Sequence, residues 1–288
     1  MAKKKSTDKV LQEGDRIISF AESKFLKKVR QAEDDIINEV LKIFKVADIS
    51  GGKLKTSKKT EEFLLTIDER IRAAMKQSEY MDGVKDLLRS YDLINVNNIE
   101  LQKSLNDINV SQKLLTSAQR LEVANTTEKL LGQGVSRDFI IPIKESLYRS
   151  VMFGASVDDA EKQIRDYIVS NDGADSRLLR YAGQVARDSL GQYDGTIQGI
   201  ISSELDLPDF IYAGSLINDS RGQCRYWVNK RILDHEELED EIQKALDGGS
   251  LGGFKCSGMI PGTTVSSFPA NRGGYRCRHR VVATKIRK

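Results

Sequence analysis

Apolar residues recur at spacings of three and four along most of the first 131 positions, and short alternating runs replace them after Pro208. Ile18, Ala21, Phe25, Val29, Ala32, Ile36, Val40 and Ile43 form one seam, which predicts an amphipathic helix over roughly 8–46. ISGGKLKTSKK (49–59) breaks it. A second run carries Phe63, Ile67, Ile71 and Ala74, and a third, from about 98 to 131, carries Leu101, Leu105, Ile108, Leu114, Ala118 and Leu121. In LGQGVSRDF, Gly132 and Gly134 are expected to end the third run in the left-handed conformation that closes helices. Shorter helices are expected at 137–152, 156–169 and 175–204, the second capped by Ser156 with Asp159 three residues on.

Beyond Pro208 the reading changes. DFIYAG predicts a short strand ending at Gly214. NDSRGQCRYWVNKRI predicts a helix capped by Ser220, with Gln223 returning the bond and Cys224, Trp227, Val228 and Ile232 on one face. A second helix is expected from Asp234, paired with Glu237, and ends at Gly248-Gly249; it buries Leu238, Ile242 and Ala245 and shows Glu236, Glu239, Asp240 and Glu241 to solvent. RCRHRVVATKI then alternates like a strand, with Tyr275, Cys277, His279 and Val281 on one face and Arg276, Arg278 and Arg280 on the other. The expected fold is mainly α, with long N-terminal helices in an arm or bundle followed by a small α+β domain of short antiparallel strands. Three segments are expected: a basic helical arm (1–60), a helical region (61–184) and the α+β domain (185–288).

Glycine and proline usage agrees with that division, since no proline precedes Pro142 and 10 of the 22 glycines lie in 214–288. No run reaches the roughly 18–20 apolar residues of a membrane span. The basic start MAKKKSTDK has no apolar stretch behind it, so no secretion signal is expected. The net charge of +3 is unevenly placed: residues 1–60 carry +6, residues 271–288 carry +7, and the middle carries −10. Two basic ends around an acidic body point to separate contacts with polyanions or acidic partners. All three cysteines, Cys224, Cys256 and Cys277, lie in the last 65 residues, and their odd number argues for reduced thiols.

Each face of the last strand carries its own candidate chemistry. Cys277 and His279, neighbours on one side, can reach a single tetrahedral Zn²⁺, with further ligands from Cys224 and from His235 or Cys256. The alternative is that the cysteines are small buried hydrophobes and His279 a hydrogen-bonded core imidazole. On the other side Arg276, Arg278 and Arg280, followed by Lys285, Arg287 and Lys288, can follow a phosphate backbone without reading bases, or else pair with the acidic helix. Enzyme signatures are weak. GGSLGGFK lacks the ending of a phosphate-binding loop, and Glu239-Asp240-Glu241, an acid-x-acid pattern of the ADP-ribosyltransferase type, falls inside an amphipathic helix. A zinc-dependent nucleic-acid-processing or hydrolytic enzyme is the alternative class, and it requires an open metal position beside a carboxylate.

YAGSLINDSRGQC (212–224), the glycine-rich stretch ending in PGTT (261–264) and GGYRCRHR (273–280) together resemble the C-terminal domain of phage minor head proteins related to protein F of phage Mu. The matching positions are Tyr212, Gly214, Asp219, Arg221, Cys224, Gly274, Cys277, Arg278 and His279; the closing element reads Cys-Arg-His where Cys-Arg-Cys is commoner. The resemblance covers about 185–285. It implies a non-enzymatic structural component of the virion, made in the host cytoplasm and built into the head during assembly. The implied partners are portal, capsid or scaffold proteins, with sequence-independent contact to double-stranded DNA or help in its exit.

Overall fold

A computed structural model describes residues 6–169 and 174–285. Within them the first apolar seam runs along α1 (Thr7–Val40), with Ala21, Phe25, Val29, Ala32, Ile36 and Val40 all buried, but the helix expected to reach 46 ends at Val40 and Ile43 falls outside it. A short turn of helix, α2 (Ile43–Val46), leads into a hairpin of β1 (Asp48–Ser50) and β2 (Lys53–Lys55). Gly51 and Gly52 turn this hairpin at φ 58° and 73°, values that glycine adopts without a steric penalty. Helix α3 (Lys58–Gln77) begins where the Ser57 hydroxyl accepts the Thr60 N–H at 3.3 Å.

The third apolar run is two helices rather than one, α4 (Glu79–Leu105) and α5 (Gln112–Leu131). The chain leaves the helix between them, and Asp107 takes φ 58°. The stop before Gly132 falls where expected, since α5 ends at Leu131, but no left-handed glycine makes it. Gly132 sits at φ −101°, and the chain continues through α6 (Gln133–Val135) and a π-helical turn (Ser136–Ile140) into α7 (Ile141–Met152). The Ser156 hydroxyl caps α8 (Val157–Ile168), accepting the Asp159 N–H at 3.1 Å. Helix α9 (Arg177–Glu204) follows.

After α9 come β3 (Asp209–Ala213), α10 (Gly222–Lys230), β4 (Ile232–Leu233) and α11 (His235–Leu246). A hairpin of β5 (Ser250–Leu251) and β6 (Phe254–Lys255), the short α12 (Phe268–Asn271) and β7 (Arg280–Thr284) complete the chain. Ser220 does not cap α10; its hydroxyl accepts the Ile217 N–H instead. Ile232 leaves the helix face, because Arg231 at φ 64° ends α10, and is exposed in β4. The fold is mainly helical, with short antiparallel strands in small sheets. Among the described residues, no helix is long and apolar enough to cross a membrane.

The described residues form two compact units, each drawn from separated stretches of the chain: one from 6–20, 89–123 and 187–285, the other from 21–88, 124–169 and 174–186. In the second unit Phe25 packs on Tyr80 at 5.9 Å between ring centroids, and the Tyr80 hydroxyl donates to the Leu130 carbonyl at 3.0 Å.

In the first unit a sheet of order β4-β3-β7 has both faces covered. On one face Val10, Leu11 and Leu101 form a cluster with Val282, packed by Leu105, Ile211 and Ala213. On the other, Tyr212 packs against Trp227 at 5.5 Å and Phe268 at 6.1 Å, which are themselves 4.9 Å apart. One edge of β7 pairs with β3. Side-chain amides satisfy the other: the Ala283 N–H donates to Gln198 Oε1 at 2.9 Å, and its carbonyl accepts from Gln102 and Asn106, each at 3.1 Å. Side-chain amides of Gln198 on α9, Gln102 on α4 and Asn106 just after it thus stand where a fourth strand would pair, and they satisfy both backbone groups of Ala283.

Candidate metal centre

The segment expected to be a two-sided strand over 275–282 becomes one only at Arg280; residues 275–279 form a turn and an irregular approach. The alternation still holds in part. Cys277 and His279 are buried and Arg278 is exposed between them. Two placements are corrected. Tyr275, expected beside Cys277, is 53% exposed. Arg280, expected on the solvated side, is 2% exposed. Alternation fixes which residues share a side, but the helices packed above that side decide whether it meets water.

Arg280 spends its donors inside the protein. Its Nε and Nη2 bind the two oxygens of Asp194 at 2.8 and 2.7 Å, and further bonds reach Asn98 Oδ1 and the Leu11 carbonyl, each at 3.2 Å. Asn98 in turn donates to Asp194 at 3.0 Å and accepts from Gln198 at 2.7 Å. A buried guanidinium needs this, because an ion removed from water is tolerated only when paired and hydrogen-bonded. The remaining expected polyanion groups divide: Arg276 and Arg278 are exposed, Lys285 pairs with Asp206 at 3.3 Å, and Arg287 lies outside the described residues. Glu241, expected on the acidic outer face, is also buried, and it accepts from Trp227 Nε1 and the Tyr226 hydroxyl, both at 2.9 Å. Lys230 is the basic partner of the acidic helix, reaching Glu237 and Glu241.

On the opposite side of the same segment, donor atoms of Cys224, Cys277 and His279 lie within 4.8 Å of one another. Cys224 comes from the first turn of α10, and the other two come from the approach to β7. The sulfurs are 4.0 Å apart, and His279 Nδ1 is 3.4 Å from Cys277 Sγ. The Tyr212 hydroxyl on β3 touches both sulfurs, at 3.4 Å from Cys224 and 3.5 Å from Cys277. His279 Nε2 is buried without a hydrogen-bond partner, a state that costs about 1–3 kcal/mol. His235 and Cys256 stay outside the group. His235 begins α11 exposed and lines a surface cleft with Asp206 and Glu239, while the Cys256 thiol donates to the Phe254 carbonyl.

The electrostatics split the two thiols. A hydrogen bond from Cys224 and another from His279, helped by the charge of Arg272, hold Cys277 well below the ordinary thiol range despite burial. The bond to Cys277, burial and the Cys277 charge push Cys224 upward. Burial keeps the Tyr212 phenol neutral.

Glycines make the room. A Cβ at Gly273 would collide with Cys224 Sγ and stand 3.0 Å from the Tyr212 hydroxyl; one at Gly214, where φ is 139°, would stand 2.9 Å from the His279 ring. Gly274 at φ 111° leaves space only for the Gly258 carbonyl. Arg221 donates to the Tyr275 carbonyl at 2.8 Å, and Gln223 donates to the carbonyls of Ser257 and Gly273 at 2.7 and 3.1 Å. The Arg276 N–H is held by Asp188 at 2.6 Å. Asp219 is exposed in the turn before α10. Sequence reasoning took Gln223 for part of a cap and did not single out Gly273 or Asp188; the doubled glycine of GGYRCRHR was the available signal for a close approach. Comparison with known proteins finds no matching family model, no matching curated protein and no matching solved structure.

Proposed function

We propose that this chain is a non-enzymatic minor structural protein of a tailed-phage head, associating with portal or capsid proteins during head assembly. One observation supports the reading. Most of the residues that carry the resemblance to phage minor head proteins, although spread from 212 to 279, converge in one buried arrangement: Tyr212, Cys224, Cys277 and His279 touch, Gly214 makes room for the His279 ring, and Arg221 ties down the turn at Tyr275. A motif used this way determines the shape of a module rather than presenting groups to a substrate. The zinc-dependent enzyme reading gains no such support. Cys224, Cys277 and His279 are 2, 5 and 4% exposed, and among the described residues no carboxylate joins them to act as base. Contact with packaged DNA falls to the exposed Arg276 and Arg278 and to Lys285.

Mass spectrometry of purified particles from the phage or prophage that encodes the chain tests the proposal. Peptides of this chain should appear at a few copies per head. Particles rich in major capsid protein and free of this chain would contradict it.

A further inference from the structure

We infer that Cys224, Cys277 and His279 hold one Zn²⁺, with the Tyr212 hydroxyl closing the fourth corner, as a buried structural clip joining β3, α10 and the entry to β7. The inference does not depend on the phage-head reading, since it rests on the geometry of four side chains. Zinc bonds of about 2.3 Å to sulfur and about 2.0–2.1 Å to nitrogen or oxygen, at tetrahedral angles, place two sulfurs about 3.8 Å apart. The same bonds place sulfur about 3.5 Å from nitrogen or oxygen. The sulfurs here are 4.0 Å apart, Cys277 Sγ to His279 Nδ1 is 3.4 Å, and the Tyr212 oxygen is 3.4 and 3.5 Å from the two sulfurs. Four of the six edges of the expected tetrahedron are therefore in place before an ion arrives.

Charge and surroundings agree. Two thiolates beside a neutral imidazole and a neutral phenol cancel the charge of Zn²⁺, so the loaded centre adds no net charge to the interior. Loading forms two sulfur–zinc bonds and releases to solvent whatever protons the two sulfurs still carry. Trp227 and Phe268 pack against Tyr212, and Gly273 backs onto the sulfurs with no side chain of its own. This is a buried shell with soft donors, which suits a structural zinc rather than a hydrated hard cation.

The test uses the full chain, purified without chelator, assayed for metal by elemental analysis and then exchanged with Co²⁺. One zinc per chain is expected. The cobalt form should show the intense visible bands of a tetrahedral ion together with a near-ultraviolet sulfur-to-metal band. Cys256→Ser and His235→Ala should keep full stoichiometry. Cys277→Ser and Cys224→Ser should lose it, with circular dichroism reporting whether they remain helical. Tyr212→Phe should still bind, about 10–100-fold more weakly, with a changed cobalt spectrum. A wild-type chain that is helical yet carries no zinc and gives no tetrahedral cobalt spectrum would overturn the proposal. So would stoichiometric metal that is lost in Cys256→Ser or His235→Ala and retained in Cys277→Ser.

Discussion

Within four residues the chain builds two buried polar clusters, one on each side of the segment 277–280, and builds them in opposite ways. Around Arg280 the polar groups saturate one another: a guanidinium, a carboxylate and a relay of amides from α4 and α9. Around Cys277 the contacts are long sulfur contacts, His279 turns its Nδ1 toward Cys277 Sγ, and glycines hold the space open. The Arg280 cluster, its charge paired with Asp194 and its amides turned to β7, serves to fix the position of β7. An unsaturated cluster with soft donors at metal-binding distances has a use only when something fills it. The resemblance of two polar clusters in sequence thus hides a difference in function that hydrogen-bond accounting exposes.

The largest effect is expected on the saturated side. Arg280→Ala should destabilise the chain by about 3–5 kcal/mol in urea unfolding, because it strands the Asp194 carboxylate. The double change Arg280→Met with Asp194→Leu should recover most of that loss; a double variant as unstable as the single one would mean the cluster matters for more than its charge balance. On the other side, Gly273→Ala forces a methyl group against Cys224 Sγ and should cost about 1–3 kcal/mol while removing metal binding, read by calorimetric titration. Gln198→Leu leaves the Ala283 N–H without its acceptor, for an expected loss of about 1–3 kcal/mol and faster hydrogen exchange at that amide.

The smallest effect is a pH dependence at the rim of the Arg280 cluster. Burial raises the Asp15 carboxyl from 3.8 to about 6; Asp194 adds to the rise, and Arg280 and His279 oppose it. The charged form is therefore disfavoured in the fold, so this group lowers stability as pH rises from about 4 to about 6. Asp15→Asn should be more stable than the parent by on the order of 1 kcal/mol near neutral pH and no different below about pH 4, measured by unfolding at both. A gain that persists in acid would assign the effect to packing.

The helical half was legible because its burial follows the period of 3.6, as the seam from Ala21 to Val40 does. Arg280 was not, since charge normally marks exposure and the covering helices lie nearly 90 and more residues away in sequence. The relay was partly visible: Asn95, Asn98 and Gln102 keep helical spacing on α4, as Asp194 and Gln198 do on α9, but a polar stripe does not name its partners. Cys224, Cys277 and His279 were nameable from residue type. His235 was misplaced because it opens α11 and is exposed there, away from the sulfurs.

X-ray absorption at the zinc edge of the purified full chain decides whether the Cys277 side of this segment is a metal clip. The expected result is a first shell of two sulfurs at about 2.3 Å with nitrogen and oxygen at about 2.0–2.1 Å. A shell without sulfur, or a folded chain with no zinc to measure, would contradict it.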